Sequence, residues 1–141
     1  MSYWLVKSEP GSWSWDQQVE AGAKGTAWTG VRNHTAKQNL MKMKKGDRAF
    51  FYHSNEGKEI VGVVEVVREA YPDPTADTPG GWVAVDMKAV RPMPKPVTLA
   101  AARGEPKLAE MALLKQSRLS VQPVTPAEWK LICSMGGLKG L

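Results

Sequence analysis

Two apolar segments separated by a short turn place the strongest constraint on the fold of this chain. Residues 48–54, RAFFYHS, and residues 59–68, EIVGVVEVVR, have the length and the β-branched and aromatic content of strands. The turn between them contains Asn55, Glu56 and Gly57, which suits an antiparallel hairpin. The GVVEVV segment is apolar enough to be buried on both faces. Gly62 within it predicts a bulge, a barrel corner or a close backbone approach.

Shorter elements surround this hairpin. Strands are predicted at residues 3–9, 82–91 and 118–124, a loop at 71–81, and helices at 14–22, 34–46, 104–116 and 125–136. Ser14 with Gln17 and Thr125 with Glu128 form capping boxes, and Asn33 is a suitable N-cap. A doubly wound parallel sheet needs a regular alternation of strands and helices, which this chain lacks. We therefore expect an α+β fold, with a barrel-like, mostly antiparallel sheet of five to six strands and short peripheral helices.

Length and cysteine content limit the class of protein. A chain of 141 residues is most simply one domain spanning residues 1–141. It has no apolar run of membrane-spanning length, and its first residues lack the pattern of a secretory signal. Cys133 is the single cysteine, so an internal disulfide is impossible. We expect a cytoplasmic protein in which Cys133 is a small core side chain.

The positive charge is concentrated in one segment. The chain has a net charge of 19 − 14 = +5. Residues 32–48 contain six basic side chains and one acid, Asp47, which gives 6 − 1 = +5. The basic side chains are Arg32, Lys37, Lys42, Lys44, Lys45 and Arg48. A local basic face is typical of a polyanion-binding surface, and a solvated helix face is the alternative.

Polar side chains at the ends of predicted elements indicate a binding site. Lys7, Ser8 and Glu9 end the first strand, and Tyr52, His53 and Ser54 end another. Trp28 stands just before Arg32, Asn33 and His34 at a helix start. A barrel mouth is a common place for a site, and Trp28 offers a flat face for stacking while Ser8 and Asn33 contact the ligand edge. Alternatively, Trp28 and Tyr52 are core aromatics with a polar tip.

Longer motifs resemble a known family. They are YWLVKSEP at residues 3–10, WTGVRNHTAKQNLMKMKKGDRAFFYHS at 28–54, IVGVVEVVREAYPDPT at 60–75, WVAVDMKAVR at 82–91 and RLSVQPV at 118–124. Together they resemble the EVE-domain family of the PUA-like superfamily across nearly the whole chain. The resemblance implies a five-stranded barrel-like core with peripheral helices. It also implies similarity to YTH domains, which bind N6-methyladenosine in an aromatic cage, and a link to modified cytosine.

The resemblance also implies particular site residues. Lys7 and Ser8 match the end of the first YTH strand, Trp28 matches the first cage aromatic, and Asn33 matches an asparagine in the following loop. Tyr52, His53 and Ser54 match the polar strand end of the EVE pattern. Arg118 and Ser120 belong to the RLSVQPV motif, and Tyr71 or Trp82 is a candidate second wall. On this basis Arg32, Lys37, Lys42, Lys44, Lys45 and Arg48 lie near phosphates.

Three functional hypotheses follow. The first is a non-catalytic domain that binds DNA or RNA and holds a base, such as 5-methylcytosine, in an aromatic pocket. The second is an amidohydrolase of modified nucleosides that uses Lys7 and Glu9, like relatives in the ASCH group. The third is an adaptor for a small molecule or protein. Two histidines and one cysteine that lie far apart make no zinc set, and we expect neither metal nor cofactor.

Overall fold

The computed structural model describes residues 1–77 and 81–140. Its strands are β1 (Tyr3–Ser8), β2 (Thr26–Trp28), β3 (Arg48–His53), β4 (Glu59–Pro72), β5 (Val83–Thr98) and β6 (Val121–Val124). In this part of the chain the α-helices are α1 (Trp15–Glu20), α2 (His34–Lys42), α3 (Leu99–Arg103), α4 (Ala112–Lys115) and α5 (Pro126–Met135). Short 3-10 helices span Gly22–Lys24 and Pro106–Leu108.

All six strands form one mixed sheet in the order β2-β5-β4-β3-β1-β6. Strands β1 and β3 pair in parallel, whereas β1–β6, β3–β4, β4–β5 and β2–β5 are antiparallel. Within the described residues β2 and β6 remain the ends of the sheet, so hydrogen bonding does not close it into a barrel. The predicted α+β class and mostly antiparallel sheet are confirmed.

The predicted hairpin forms the centre of the sheet. β3 and β4 pair around a turn in which Asn55, Gly57 and Lys58 have positive φ. Gly62 permits a close approach, because a Cβ there would lie 2.5 Å from two carbons of the Trp15 indole. The register also shifts beside Gly62, as a bulge requires.

Two of the strands are longer than the sequence indicates. β4 continues through Tyr71 and Pro72, so the predicted loop begins only at Asp73, and residues 78–80 of that loop lie outside the described part. β5 continues beyond residue 91 to Thr98. Its second half contains Pro92, Pro94 and Pro96, which have no backbone N–H to donate to a neighbouring strand.

The two faces of the sheet bury separate apolar clusters. One cluster contains Trp28, Leu40 and Phe51. Ala36 and Leu40 of α2, with Met43 directly after the helix, cover it, and these are the residues that the sequence predicts to be buried. The other contains Phe50 and the helix α5. In this cluster the Trp129 ring stacks on the rings of Tyr3 and Phe50, with centroid separations of 4.4 and 4.0 Å. Cys133 is buried in the same cluster, as expected, and burial raises the pKa of its thiol to about 11.

Helix starts agree with the predictions better than the other helix boundaries do. Both capping boxes and the Asn33 N-cap are present. The single helix predicted over residues 104–116 is wrong. The backbone turns extended at Met111, because Leu108, Met111 and Leu113 must all reach the core, and this breaks the segment into two short helices.

Two other boundaries also differ from the predictions. α2 ends at Lys42, before the predicted stop at Gly46, because Met43 turns extended to reach the core. The carboxylate of Asp47 then accepts from the Lys44 amide at 3.0 Å and holds the following turn. β6 begins at Val121, three residues after the predicted start at Arg118.

Candidate functional site

A cleft of about 450 Å³ lies between the end of β1 and strand β2. We call it the tryptophan cleft, and it is lined by Lys7, Ser8, Glu9, Ser12, Trp13, Thr26, Ala27, Trp28 and Thr29. It therefore brings together three of the predicted pocket residues, Lys7, Ser8 and Trp28. Two aromatic rings and several polar groups in one cleft match the composition of small-molecule and base sites.

Trp28 is anchored in the core and borders the cleft. It pairs with Val85 across the β2–β5 ladder. Its ring meets Phe51 edge to face, with centroids 5.6 Å apart, and only 8% of the residue is exposed. The indole is therefore held rigidly, which lowers the entropy cost of stacking a ligand on it.

Trp13 is a second aromatic residue of the cleft that the sequence analysis missed. Its indole Nε1–H donates to Gln18 Oε1 at 2.8 Å, and Gln18 Nε2 donates to the carbonyl of Met87 at 3.0 Å. The sequence signal that could have identified Trp13 is its position directly before Ser14, the N-cap of α1. The capping box fixes where α1 starts, so the residue before it lies next to the end of β1.

The end of β1 supplies the charged and hydroxyl groups of the cleft. Lys7 Nζ donates to the Ser117 carbonyl at 2.7 Å, and burial lowers the pKa of Lys7. The Ser8 hydroxyl donates to the Trp13 carbonyl, which ties the loop after β1 to the strand. Glu9 is exposed at the rim. Lys7 and Glu9 both line the cleft, and the Lys7 ammonium contacts the Ser117 carbonyl and lies 5.7 Å from the centroid of the Tyr52 ring.

The polar end of β3 supports the cleft from behind and does not line it. Tyr52 pairs with Lys7, is 4% exposed, and has a pKa raised by burial, with Arg103 acting in the opposite direction. His53 Nε2 accepts from the Trp15 amide at 3.0 Å, so that nitrogen carries no proton. The Ser54 amide donates to the Ser8 carbonyl at 2.9 Å.

Asn33 and Arg118 lie together in a separate groove of about 330 Å³. Its lining residues are Asn33, Thr35, Gln116, Ser117, Arg118 and Leu119. Asn33 Oδ1 accepts from the Ala36 amide at 2.9 Å and caps α2. Lys7 connects this groove to the tryptophan cleft through its bond to the Ser117 carbonyl. The Ser120 carbonyl accepts from the Lys7 amide at 2.9 Å.

Tyr71 and Trp82 lie in a third place, a cavity of about 840 Å³ that shares no lining residue with the tryptophan cleft. Trp82 stacks on His34 with centroids 4.9 Å apart. The Arg32 guanidinium and Lys37 Nζ lie 5.8 and 5.9 Å from the Trp82 centroid. Burial, followed by the hydrogen bond to Asp86, raises the pKa of Tyr71 to about 12.

The basic segment divides into paired and exposed side chains. Arg32 forms an ion pair of 2.9 Å with the buried Asp73, and Arg48 lies 3.5 Å from Glu65. Lys42, at the end of α2, and Lys44 and Lys45, just after it, are exposed on the surface. The exposed lysines are available for long-range attraction, whereas Arg32 already has a structural role.

Two further properties concern the described residues as a whole. Among residues 1–77 and 81–140, no three His, Cys, Asp or Glu side chains are grouped as a metal site. None of the helices in these ranges is long and apolar enough to cross a membrane.

The open mixed sheet, with a cleft between the end of β1 and an edge strand, defines a PUA-like α+β domain. The EVE domain model matches residues 2–135, and the chain belongs to the EVE-domain family. Human thymocyte nuclear protein 1 is 36% identical over 167 residues, covering 95% of this chain and 73% of the human protein. The predicted family is confirmed.

Solved structures agree with this assignment. The NMR structure of Rpa0253 from Rhodopseudomonas palustris is 65% identical, with a TM-score of 0.93, covering 100% of this chain and 97% of that one. The crystal structure of human THYN1 in complex with 5-methylcytosine-containing DNA is 34% identical, with a TM-score of 0.87, covering 99% and 100%. A YTH domain of Zygosaccharomyces rouxii MRB1 with N6-methyladenosine RNA shares the fold, at 15% identity and a TM-score of 0.58, covering 96% and 86%.

Proposed function

We propose that this EVE domain binds nucleic acid without catalysis and receives one extruded base in the tryptophan cleft. The observation that carries the proposal is the presence of Trp13, Trp28 and Lys7 in one cleft of about 450 Å³. A base is a flat aromatic ring with polar edges, and each base stacked on an aromatic side chain contributes about 1–3 kcal/mol. Enzymes and readers that act on single bases remove them from the duplex into such pockets.

We propose a modified cytosine as the base. The human relative was crystallised with DNA that contains 5-methylcytosine, which supports this choice. Lys7 and Glu9 both line the cleft and offer a donor and an acceptor. The N4 amino group of cytosine donates a hydrogen bond, which a carboxylate can accept. Its N3 and O2 atoms accept hydrogen bonds, which an ammonium group can donate. The 5-methyl group then packs against an apolar part of the cleft.

The phosphates are proposed to follow the groove of Asn33 and Arg118 and the exposed lysines after α2. The groove adjoins the cleft through the Lys7–Ser117 bond, so a nucleotide in the cleft has a cationic guanidinium close to its backbone. Contacts of this kind give affinity that falls with salt. We place Tyr52, His53 and Ser54 in the supporting layer behind the cleft, and Ser120 in the backbone that holds Lys7.

A titration of matched oligonucleotides tests the proposal. Single- and double-stranded DNA and RNA with plain or 5-methylated cytosine are titrated against the protein at two salt concentrations. We expect modification-dependent binding that Trp13→Ala weakens at least about tenfold. Trp28→Ala should act in the same direction, with an unfolding measurement to verify that it folds. Trp82→Ala is the matched control, because Trp82 lies outside the cleft.

The outcomes separate the candidate sites. Unchanged affinity in Trp13→Ala and Trp28→Ala would contradict base insertion between them. A large loss in Trp82→Ala would instead place the base in the Trp82 cavity, beside Tyr71. Binding to no oligonucleotide at low salt would reject nucleic acid as the partner.

A second candidate, hydrolysis of an acylated nucleoside, rests on Lys7 and Glu9. Both line the cleft, and burial lowers the pKa of Lys7, which favours a neutral amine. As a neutral amine, Lys7 would accept a proton from a water molecule while the water oxygen bonds to the acyl carbon. The acyl C–N bond then breaks, the leaving nitrogen takes that proton from the Lys7 ammonium, and the products are a carboxylic acid and the deacylated nucleoside. Incubation with N4-acetylcytidine tests this reaction. Turnover that Lys7→Ala abolishes would establish it, and absence of turnover would reject it.

A further inference from the structure

We propose that Gln18 is a positioning residue that holds Trp13 at a fixed distance from Trp28 in the tryptophan cleft. This inference rests on the proposed function, because it says that one side chain determines the width of the same cleft. Gln18 lines no part of the cleft itself. It acts through its hydrogen bonds.

Both ends of the Gln18 amide are used. Oε1 accepts from Trp13 Nε1, at 2.8 Å, and Nε2 donates to the Met87 carbonyl, at 3.0 Å. An indole N–H only donates and a backbone carbonyl only accepts, so this amide orientation is the one that satisfies both partners. Gln18 is fully buried, and a buried amide is tolerated when its groups are paired.

Met87 connects this bond to the strand that carries Trp28, which also lines the cleft. Its backbone pairs with Thr26 at the start of β2, two residues before Trp28. The chain enters β2 through Gly25, where a Cβ would lie 2.7 Å from the Met87 carbonyl carbon. Gly25 has a φ of 73°, which glycine adopts without strain. Trp13 and the strand that carries Trp28 are therefore fixed to the same peptide group.

A fixed separation between two aromatic walls has a consequence for binding. A base enters a slot that is already formed, so less entropy is lost on ordering the ring of Trp13. Without Gln18 the Trp13 ring, which is only partly buried, would be free to change rotamer. The chain Trp13–Gln18–Met87 thus favours a ligand whose planar ring fits one fixed spacing between Trp13 and Trp28.

Gln18→Met tests the inference, because methionine fills a similar volume and makes neither hydrogen bond. Trp13→Phe keeps an aromatic wall, although a smaller one, and removes the indole N–H together with its five-membered ring. Each is expected to weaken binding of the preferred oligonucleotide about three- to tenfold, the effect of one hydrogen bond. The double variant should be no weaker than the worse single variant, because both changes break one interaction. Asn39→Leu is the control, since it removes a buried side-chain bond, to the Val121 carbonyl, outside the cleft.

A measurement without ligand separates this inference from the proposed function. The chain has six tryptophans, and the indole N–H resonance that disappears in Trp13→Phe is that of Trp13. In Gln18→Met this resonance should shift and exchange faster with solvent, while the other five change little. Gln18→Leu also makes neither hydrogen bond, so it serves if the methionine variant does not fold. An unchanged Trp13 resonance in a folded Gln18 variant would overturn the inference, whether or not any oligonucleotide binds.

Discussion

The indole of Trp15 occupies the space beside Gly62 that a side chain at residue 62 would need. A Cβ there would lie 2.5 Å from Cζ2 and Cζ3 of the ring, and the ring packs edge to face on Phe51 with centroids 5.4 Å apart. The glycine in β4 therefore determines how closely α1 approaches the sheet. Because Trp13 and Gln18 flank Trp15 in sequence, this contact also supports the tryptophan cleft.

Gly62→Ala should destabilise the domain by about 1–3 kcal/mol, the usual effect of overpacking a core. The added methyl group must displace the buried Trp15 ring, which is 8% exposed. The free energy of unfolding, measured in denaturant, checks this expectation. Gly11→Ala is the matched control, because a Cβ at Gly11 would meet nothing within 4 Å. Equal stability of the two variants would contradict the packing argument.

The domain should lose stability as the pH falls below the ordinary histidine value of 6.5, and His53 should cause part of this loss. Burial lowers the pKa of His53, and Glu59 and Asp16 partly oppose the shift. The unfolded chain therefore binds a proton more readily than the folded chain, and stability rises with pH. Once Nε2 is protonated, it also cannot accept the hydrogen bond from the Trp15 amide. The contribution is complete above pH 6.5 and is lost as the pH falls through the lower folded value.

His53→Gln isolates this effect, because a glutamine oxygen accepts a hydrogen bond without titrating. Unfolding free energies between about pH 5 and pH 8 should show a smaller slope in His53→Gln than in the unmodified chain. His34→Gln removes the other histidine and serves as control. An identical slope in His53→Gln and the unmodified chain would reject the assignment.

Asp73→Asn should destabilise the contact between Gly30, in the loop after β2, and the β4–β5 connection that contains Asp73. The Asp73 carboxylate accepts from the amides of Gly30 and Thr75, from the Thr75 hydroxyl and from Arg32. Burial alone would raise the pKa of Asp73, but these donors outweigh burial and hold its pKa well below the ordinary 3.8. Its contribution is therefore present above pH 3.8 and is lost as the pH falls further.

Denaturant unfolding near neutral pH should show a loss of about 1–3 kcal/mol in Asp73→Asn, because one of the two acceptor oxygens becomes an NH2 group and the partner of Arg32 loses its charge. The stability difference from the unmodified chain should shrink on acidification. Asp77→Asn, at an exposed position in the same connection, should change little. A difference that grows in acid would have the wrong sign for a depressed carboxyl pKa.

Replacing Lys44 and Lys45 with Gln should reduce nucleic-acid affinity and its dependence on salt. Both side chains are exposed and lie in the basic segment. For B-DNA, each phosphate contact adds about −0.9 to the slope of the logarithm of the binding constant plotted against the logarithm of the salt concentration. Two lost contacts should therefore make this slope less negative by up to about 2. Titrations at several salt concentrations provide the slope. The double variant Lys107→Gln with Lys130→Gln makes the same charge change elsewhere on the surface. An equal effect on affinity and slope would show that only the net charge matters and would contradict a local contact of Lys44 and Lys45 with phosphates.

Local chemistry was predictable from the sequence and long-range pairing was not. The capping boxes at Ser14 and Thr125 depend on residues three positions apart, and the structure contains both. The helix predicted over residues 104–116 failed because burial of Leu108 and Met111 determines the backbone there. Trp28 and Lys7 were identified through motifs. Trp13 was missed because its position depends on a bond between Gln18 and Met87, 69 residues apart.

The prolines in the second half of β5 also determine what this domain can join. Pro92, Pro94 and Pro96 have no backbone N–H, so this stretch offers carbonyls without the matching donors at three positions. A strand from another molecule would find fewer hydrogen bonds there than a growing ladder needs. This stretch is therefore protected against fibrillar association, even at the high concentrations that a binding titration requires.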